Sequence, residues 1–231
     1  MNQFKSRLQI KLKKLYHIRR KVNSPRRFVH KEVPYFSQWE SPDLNQAILS
    51  RQIDAKDDPN WRQSGAKTKQ EYFDWSWSGC GMACLKMTLA YLGKGTIPLV
   101  TLGKRCAKRG GYTYPLESSS GLLYKPFVKF VKKEFGLDAK VINPMLLEDI
   151  IILLGSGGFV IASVTPEIRQ PNIKPKLKGG HLVLMLGYDL DKAELYFHNP
   201  SGISKSTRDY ASISLDNFKN FFNNRGIVIN D

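Results

Sequence analysis

The stretch GGHLVLMLGYDLDKAELYFHNPSG, residues 179–202, decides the reading of the fold. Two glycines lead into the apolar run LVLMLGY, and a polar, aspartate-containing turn separates it from ELYFH. Short runs of this kind, bounded by Gly, Asp, Asn and Pro, are predicted to be strands, and a turn near Asp189 and Asp191 pairs them as an antiparallel hairpin. Period-two alternation places Leu195, Phe197 and Asn199 on one face of the second strand and Glu194, Tyr196 and His198 on the other. Asn199 therefore shares the apolar, inward side. In such a hairpin His181, which opens the first strand, and Asn199, which closes the second, end up together at one end of the sheet.

Outward from the hairpin, residues 159–164 and 227–229 are further β-branched or aromatic runs and are predicted to be strands. The first half differs. Residues 81–92 (GMACLKMTLAYL), 122–135 and 144–154 carry the helical period and are closed by Gly93, Gly136 and Gly155. Residues 32–78 are polar, rich in Trp, Asp and Pro, and lack sustained periodicity, which predicts an extended opening followed by a long loop with short helices. Helices first and strands second, without regular βαβ alternation, indicate an α+β domain with a mainly antiparallel sheet. A length of 231 residues at 42% hydrophobic content suffices for one main domain with a buried core.

Cys80 stands between Gly79 and Gly81, immediately ahead of a helical run. Its sulfur is thereby predicted to sit at a helix N-terminus, where free N–H groups and the dipole favour thiolate, with the flanking glycines leaving room for a substrate backbone. A thiol nucleophile needs a base. Of the four histidines, His17 and His30 fall in a basic N-terminal segment, leaving His181 and His198. His181, at the mouth of a strand whose body is core, suits a general base, and Asn199 suits the partner that orients it. Each residue alone has a plainer reading: a buried cysteine at a helix start, a strand-edge histidine, a turn-forming Asn-Pro. The three support one another only if they meet in space. Cys80, Cys84, His181 and His198 can be drawn as a zinc quartet, but no CxxC or HxxxH pairing is present and positions 198 and 199 point oppositely, so no metal is expected. Cys84, Met87 and Tyr91 are expected to pack the helix into the core.

Four motifs, VPYFSQW (33–39), GCGMACLKM (79–87), GGHLVLMLGYD (179–189) and FHNPSG (197–202), resemble in order those of the double-glycine leader peptidases and their stand-alone relatives, members of the papain-like superfamily. The resemblance covers about residues 32–231. It implies a papain-like fold, with a helical N-terminal half packed on a C-terminal sheet, and a cysteine peptidase working through a thioester with Cys80, His181 and Asn199 as its triad. It also implies a glutamine whose amide donates into the oxyanion hole, matched here by Gln38, 42 positions before the cysteine. The intervening loop must fold back, and Trp61, Trp75 and Trp77 are candidates to pack it down. Asn199 stands where the leader peptidases usually carry Asp; a neutral partner still orients the histidine but stabilises an imidazolium less. The implied partner is a peptide or protein substrate, with no cofactor. Two other functions use the same residues: an amidase or acyl-transfer enzyme, and a non-catalytic peptide-binding module of the same fold.

Charge divides the chain. Residues 1–31 carry 11 Lys or Arg and no acid, leaving 25 bases against 20 acids thereafter, so the expected domain from residue 32 onward is only mildly basic. Phe4, Leu8, Leu12, Leu15 and Ile18 recur every three or four positions among Lys5, Arg7, Lys11, Lys13 and Lys14, which predicts a basic amphipathic arm suited to an anionic membrane surface or an acidic partner. Nucleic acid is not expected, because the charge is not interleaved with stacking aromatics. No run of 18 apolar residues, no secretory signal and an odd cysteine count of three point to a cytoplasmic protein, peripheral to a membrane if the arm binds one. Without a spanning helix or a GxxxxGK[ST] loop, processing coupled to export is not expected.

Overall fold

The structure is a computed structural model of the chain and describes residues 24–113, 121–176 and 178–231. The amphipathic pattern of residues 4–18 lies outside them. The chain opens with β1 (Arg27–Val29) and short helical turns including α1 (Asn45–Leu49). Next come α2 (Lys69–Ser78), α3 (Cys80–Tyr91), α4 (Leu99–Ala107) and α5 (Tyr124–Phe135). Then β2 (Asp138–Ile142), α6 (Leu147–Gly155), β3 (Phe159–Val164), β4 (His181–Asp189) and β5 (Glu194–His198) alternate less regularly, ahead of α7 (Lys205–Arg208), β6 (Ala211–Ser214), α8 (Leu215–Phe221) and β7 (Phe222–Asn230). Local chemistry sets the ends. The Thr68 hydroxyl accepts the Glu71 N–H at the start of α2 (3.0 Å), and Gly136, at φ 73°, closes α5 in the left-handed conformation.

The sheet runs β2-β7-β3-β4-β5-β6, with every neighbouring pair antiparallel and β1 added beside the far end of β4. All nine residues of β4 are buried, which explains why its sequence is continuously apolar rather than alternating. Leu182, Leu184 and Leu186 pack with Met82, Leu85 and Leu89 of α3 in one core. Val183, Met185 and Tyr188 pack with Ile150 and Leu154 of α6 and Phe218 and Phe221 of α8 in a second core across the sheet. Each such fully buried side chain contributes roughly 1.5–3 kcal/mol. α3 is thus pinned against β4, and the start of the helix meets the start of the strand, where the Leu182 amide reaches the Cys80 sulfur.

The expected α+β architecture, helices in the first half and an antiparallel sheet in the second, is what the structure has. Boundaries moved by one to three residues in the helices, and the strand expected at 227–229 extends over nine residues as β7. Two differences have physical causes. Residues 27–30, part of the basic arm by composition, belong to the sheet: Arg27 pairs with Asp189, and the buried His30 ring stacks on Phe159 with centroids 4.1 Å apart. A charge count does not register an edge strand whose basic side chains face solvent. Tyr91, expected in the core with Cys84 and Met87, is 39% exposed at the last turn of α3, touching His30 and Phe159 only by ring edges. Among the described residues no helix is long and apolar enough to cross a membrane.

Candidate active site

Cys80 opens α3 directly after α2, the two helices meeting at Gly79. No side chain caps the first turn of α3, so its N–H groups remain available. The backbone amides of Leu182, Gly81 and Cys80 itself reach the Cys80 sulfur. Leu182 is free to do so because β5 ends at His198, opposite Leu184, leaving the first residues of β4 beyond the ladder on that side. The thiol keeps partial exposure, yet protein crowds it. Burial pushes its pKa up, and these amides and the Arg169 guanidinium offset only part of the rise. The glycines beside it serve packing rather than open space: a Cβ on Gly81 would lie 2.7 Å from Leu122 Cδ2, and one on Gly79 3.0 Å from Leu99 Cδ2.

His181 begins β4 after a turn in which Gly179 and Gly180 both take positive φ, 76° and 94°. An L side chain at either position would be strained, so the pair of glycines is what lets the chain turn sharply into the strand. The imidazole is buried, with Nε2 at 2.8 Å from Asn199 Oδ1 and 3.0 Å from Ser201 Oγ. Asn199 itself is fully buried, just past the end of β5. Its amide orientation is fixed because Oδ1 also accepts the Ser201 N–H at 3.2 Å. The oxygen therefore faces the ring, His181 Nε2 carries the proton, and Nδ1 is left as the basic nitrogen. Burial drives the His181 pKa down to about 3; the nearby Arg169 charge adds to the fall and the Asn199 bond opposes it. With the thiol pushed up and the imidazole pushed down, both groups are neutral at neutral pH.

Two further residues complete this end of the sheet. Arg169, closing the 3₁₀ turn Pro166–Arg169 after β3, donates from Nε to Ser201 Oγ at 2.8 Å and to Ser201 O at 3.1 Å. Ser201 thus ties a half-buried guanidinium to the His181–Asn199 pair. Neither was a candidate from sequence. Arg169 and Ser201 lie on separate segments 32 positions apart, with no spacing pattern to link them.

Gln38 is brought by fold-back of the loop to the end of α2, the helix that precedes Cys80. The opening segment is bolted to the corner after β5: Gln38 N–H donates to Pro200 O (2.9 Å), Ser37 Oγ to the same oxygen (2.8 Å), and Tyr35 Oη to Asn199 O (2.9 Å). The buried Gln38 side chain donates from Nε2 to Ser76 O at 2.9 Å, in the last turn of α2 ahead of Cys80. Trp75 and Trp61 are buried, and Trp77 stands edge-on to Trp39 with centroids 5.2 Å apart, so these rings do hold the loop down. A cleft of about 310 Å³ has Cys80 and His181 in its wall with Trp77, Leu122, Tyr124 and Arg225. Gln38 and Asn199 stand behind it rather than in its lining. The glycine-rich residues 155–158 lie at the opposite end of β3 from the Val164–His181 pairing, away from the cleft. A larger pocket of about 440 Å³, bordered by Gln46, Glu167 and Gln170, contains no thiol or imidazole in its wall. His198 is committed elsewhere, with Nε2 2.9 Å from Val33 O and Nδ1 accepting the Tyr210 N–H at 3.0 Å.

A family model described as a Peptidase_C39-like family matches residues 30–228. Among solved structures, a Bacillus anthracis protein described as a C39-like peptidase superposes with a TM-score of 0.53 at 15% identity, over 89% of this chain and 98% of that one. The peptidase domain of Streptococcus ComA, a bifunctional ABC transporter of a quorum-sensing pathway, aligns at 16% identity over 66% of this chain and 90% of that one, with a TM-score of 0.44. No curated protein matches the chain.

Proposed function

The chain belongs to the peptidase C39-like family, and from that premise we propose that it is a cysteine peptidase with Cys80 as nucleophile, His181 as general base and Asn199 as the residue that orients the base. The observation that carries the reading is the 2.8 Å bond from His181 Nε2 to Asn199 Oδ1, which leaves Nδ1 as the proton acceptor in the wall of the cleft that Cys80 shares. Because both groups rest neutral, the thiol proton moves to Nδ1 as the sulfur attacks the peptide carbonyl, rather than being lost beforehand.

The tetrahedral oxygen then takes a hydrogen bond from the Cys80 amide; Gln38, behind the cleft wall with one N–H given to Ser76 O, adds a second only if substrate binding turns its remaining N–H into the cleft. Collapse breaks the C–N bond, and the imidazolium returns its proton to the leaving amine. A thioester on Cys80 remains. Water, deprotonated by His181, hydrolyses it and restores the thiol. Arg169, fixed through Ser201, supplies the positive charge that stabilises the sulfur while it is anionic.

The test is a diverse peptide library incubated with wild type and Cys80→Ala and read by mass spectrometry. Cleavage by wild type alone supports the assignment; cleavage that survives in the variant refutes it. An added amine acceptor separates hydrolysis from acyl transfer, since only a transferase incorporates the amine in preference to water.

A further inference from the structure

Arg225 is the charged side chain of the cleft that the thiol chemistry does not use. It lies on β7, exposed, and lines the same compartment as Cys80 and His181. Its position is set on two sides. Nε donates to Ser163 Oγ at 3.4 Å, and the guanidinium carbon stands 5.3 Å from the centre of the Tyr124 ring. It also borders the turn that leads into the base, since a Cβ on Gly179 would come within 3.6 Å of Arg225 Nη2.

Among the described residues Arg225 has no carboxylate partner, unlike Arg26, Arg105, Arg109 and Arg208, each of which is paired with an Asp or Glu. Nor does any described Asp or Glu line the cleft, whose other walls include Trp77, Leu122 and Leu182. A guanidinium held by a ring and a hydroxyl, in the wall of a site compartment and without a carboxylate partner among the described residues, matches a carboxylate in shape and charge. At about 310 Å³ the compartment is roughly 7 Å across, about two residues of extended chain.

We propose that Arg225 is a specificity-determining residue that binds a substrate carboxylate within two residues of the bond attacked by Cys80. The inference rests on the cysteine peptidase reading and adds a substrate class to it. The carboxylate has two sources: an acidic side chain next to the scissile bond, or the free C-terminus of a chain cleaved near its end.

The experiment uses matched peptides around a mapped cleavage site, with Glu or Gln at each of the two positions on either side, each made with a free and an amidated C-terminus. Wild type is expected to favour the carboxylate-bearing member by about tenfold in kcat/KM, the scale of one charge-assisted hydrogen bond. Arg225→Gln loses that preference, while Arg225→Lys keeps part of it. Dependence on Glu regardless of amidation identifies the side-chain source; dependence on the free terminus identifies the other. Equal rates for all members in wild type, or a preference that survives in Arg225→Gln, overturn the proposal and leave the peptidase reading standing. If wild type cleaves no peptide, that reading falls instead, and alkylation of Cys80 decides the proposal. The rate ratio of iodoacetate to iodoacetamide must fall about tenfold in Arg225→Gln, and an unchanged ratio overturns it.

Discussion

Cys80 and Cys84 lie one turn apart on α3, and both are served by the backbone of Leu182. At Cys80 the Leu182 amide points at the sulfur, as do the amides of the open helix end, and the thiol borders a cleft with the His181 imidazole in its wall. At Cys84 the relation is reversed: its Sγ lies 3.8 Å from Leu182 O as a weak donor, the residue is fully buried, and burial raises its pKa further. Donors around a sulfur favour thiolate, and an acceptor holds the thiol. One helical turn thus separates the sulfur proposed as nucleophile, which borders the cleft, from one that packs in the core.

The contrast is broken most forcefully by exchanging the two deletions. Cys80→Ala is expected to lower peptide turnover by at least about a thousandfold, while Cys84→Ala keeps turnover within about threefold and lowers stability by about 1 kcal/mol for the small void. Steady-state cleavage and urea unfolding measure the two; an inactive but stably folded Cys84→Ala protein erases the distinction. Next in size is the support of the base. Asn199→Ala frees the ring to turn, and a loss of about a hundredfold in kcat is expected with KM little changed. An unaltered kcat means that the Asn199 contact orients nothing of consequence.

Ionisation sharpens the comparison further. A raised thiol beside a neutral imidazole predicts that iodoacetamide labelling of Cys80 climbs about tenfold per unit between about pH 6 and about pH 8, while Cys84 stays protected throughout. Arg169→Gln slows the Cys80 rate several-fold at fixed pH, because the cation that favours thiolate is gone. A labelling plateau in the acid range contradicts the neutral pair. The smallest effect is on stability. His181 falls from the ordinary 6.5 to about 3 on folding, so the unfolded chain takes its proton first as pH drops. Its contribution is fully present above 6.5 and is lost progressively toward 3. Over the first unit below 6.5, wild type should lose roughly 1 kcal/mol that His181→Gln does not lose, measured by denaturation at each pH.

Much of this arrangement is legible in the residues. The glycine-flanked cysteine before a helical run, and the His181 and Asn199 hairpin ends, are local patterns, and local periodicity is what a sequence displays most directly. The pairing of β4 with β5 through the Asp189 turn, where Asp189 Oδ1 accepts the amides of Asp191 and Lys192, follows from the same signals. The shorter elements were not legible: β1, β2 and β6 span three to five residues, and their burial is decided by neighbours distant in the chain. Arg169, Ser201 and Arg225 were missed for a related reason. Each acquires its place from a contact between segments far apart, and an arginine in a polar stretch looks like any solvated charge. The favoured thiolate expected at the helix start is also altered, since helix-end amides are visible in a sequence pattern and the degree of crowding around a sulfur is not.

The central claim, that Cys80 is the nucleophile, is tested most directly by trapping its acyl intermediate. Wild type mixed with an activated peptide ester and quenched in acid within its first turnover should carry one acyl group, labile to hydroxylamine, on the peptide containing Cys80. The same treatment of His181→Ala should yield far less of it, and Cys80→Ala none. Turnover of the ester with no adduct at Cys80, or an adduct that maps to Cys84 or Cys106, would contradict the account.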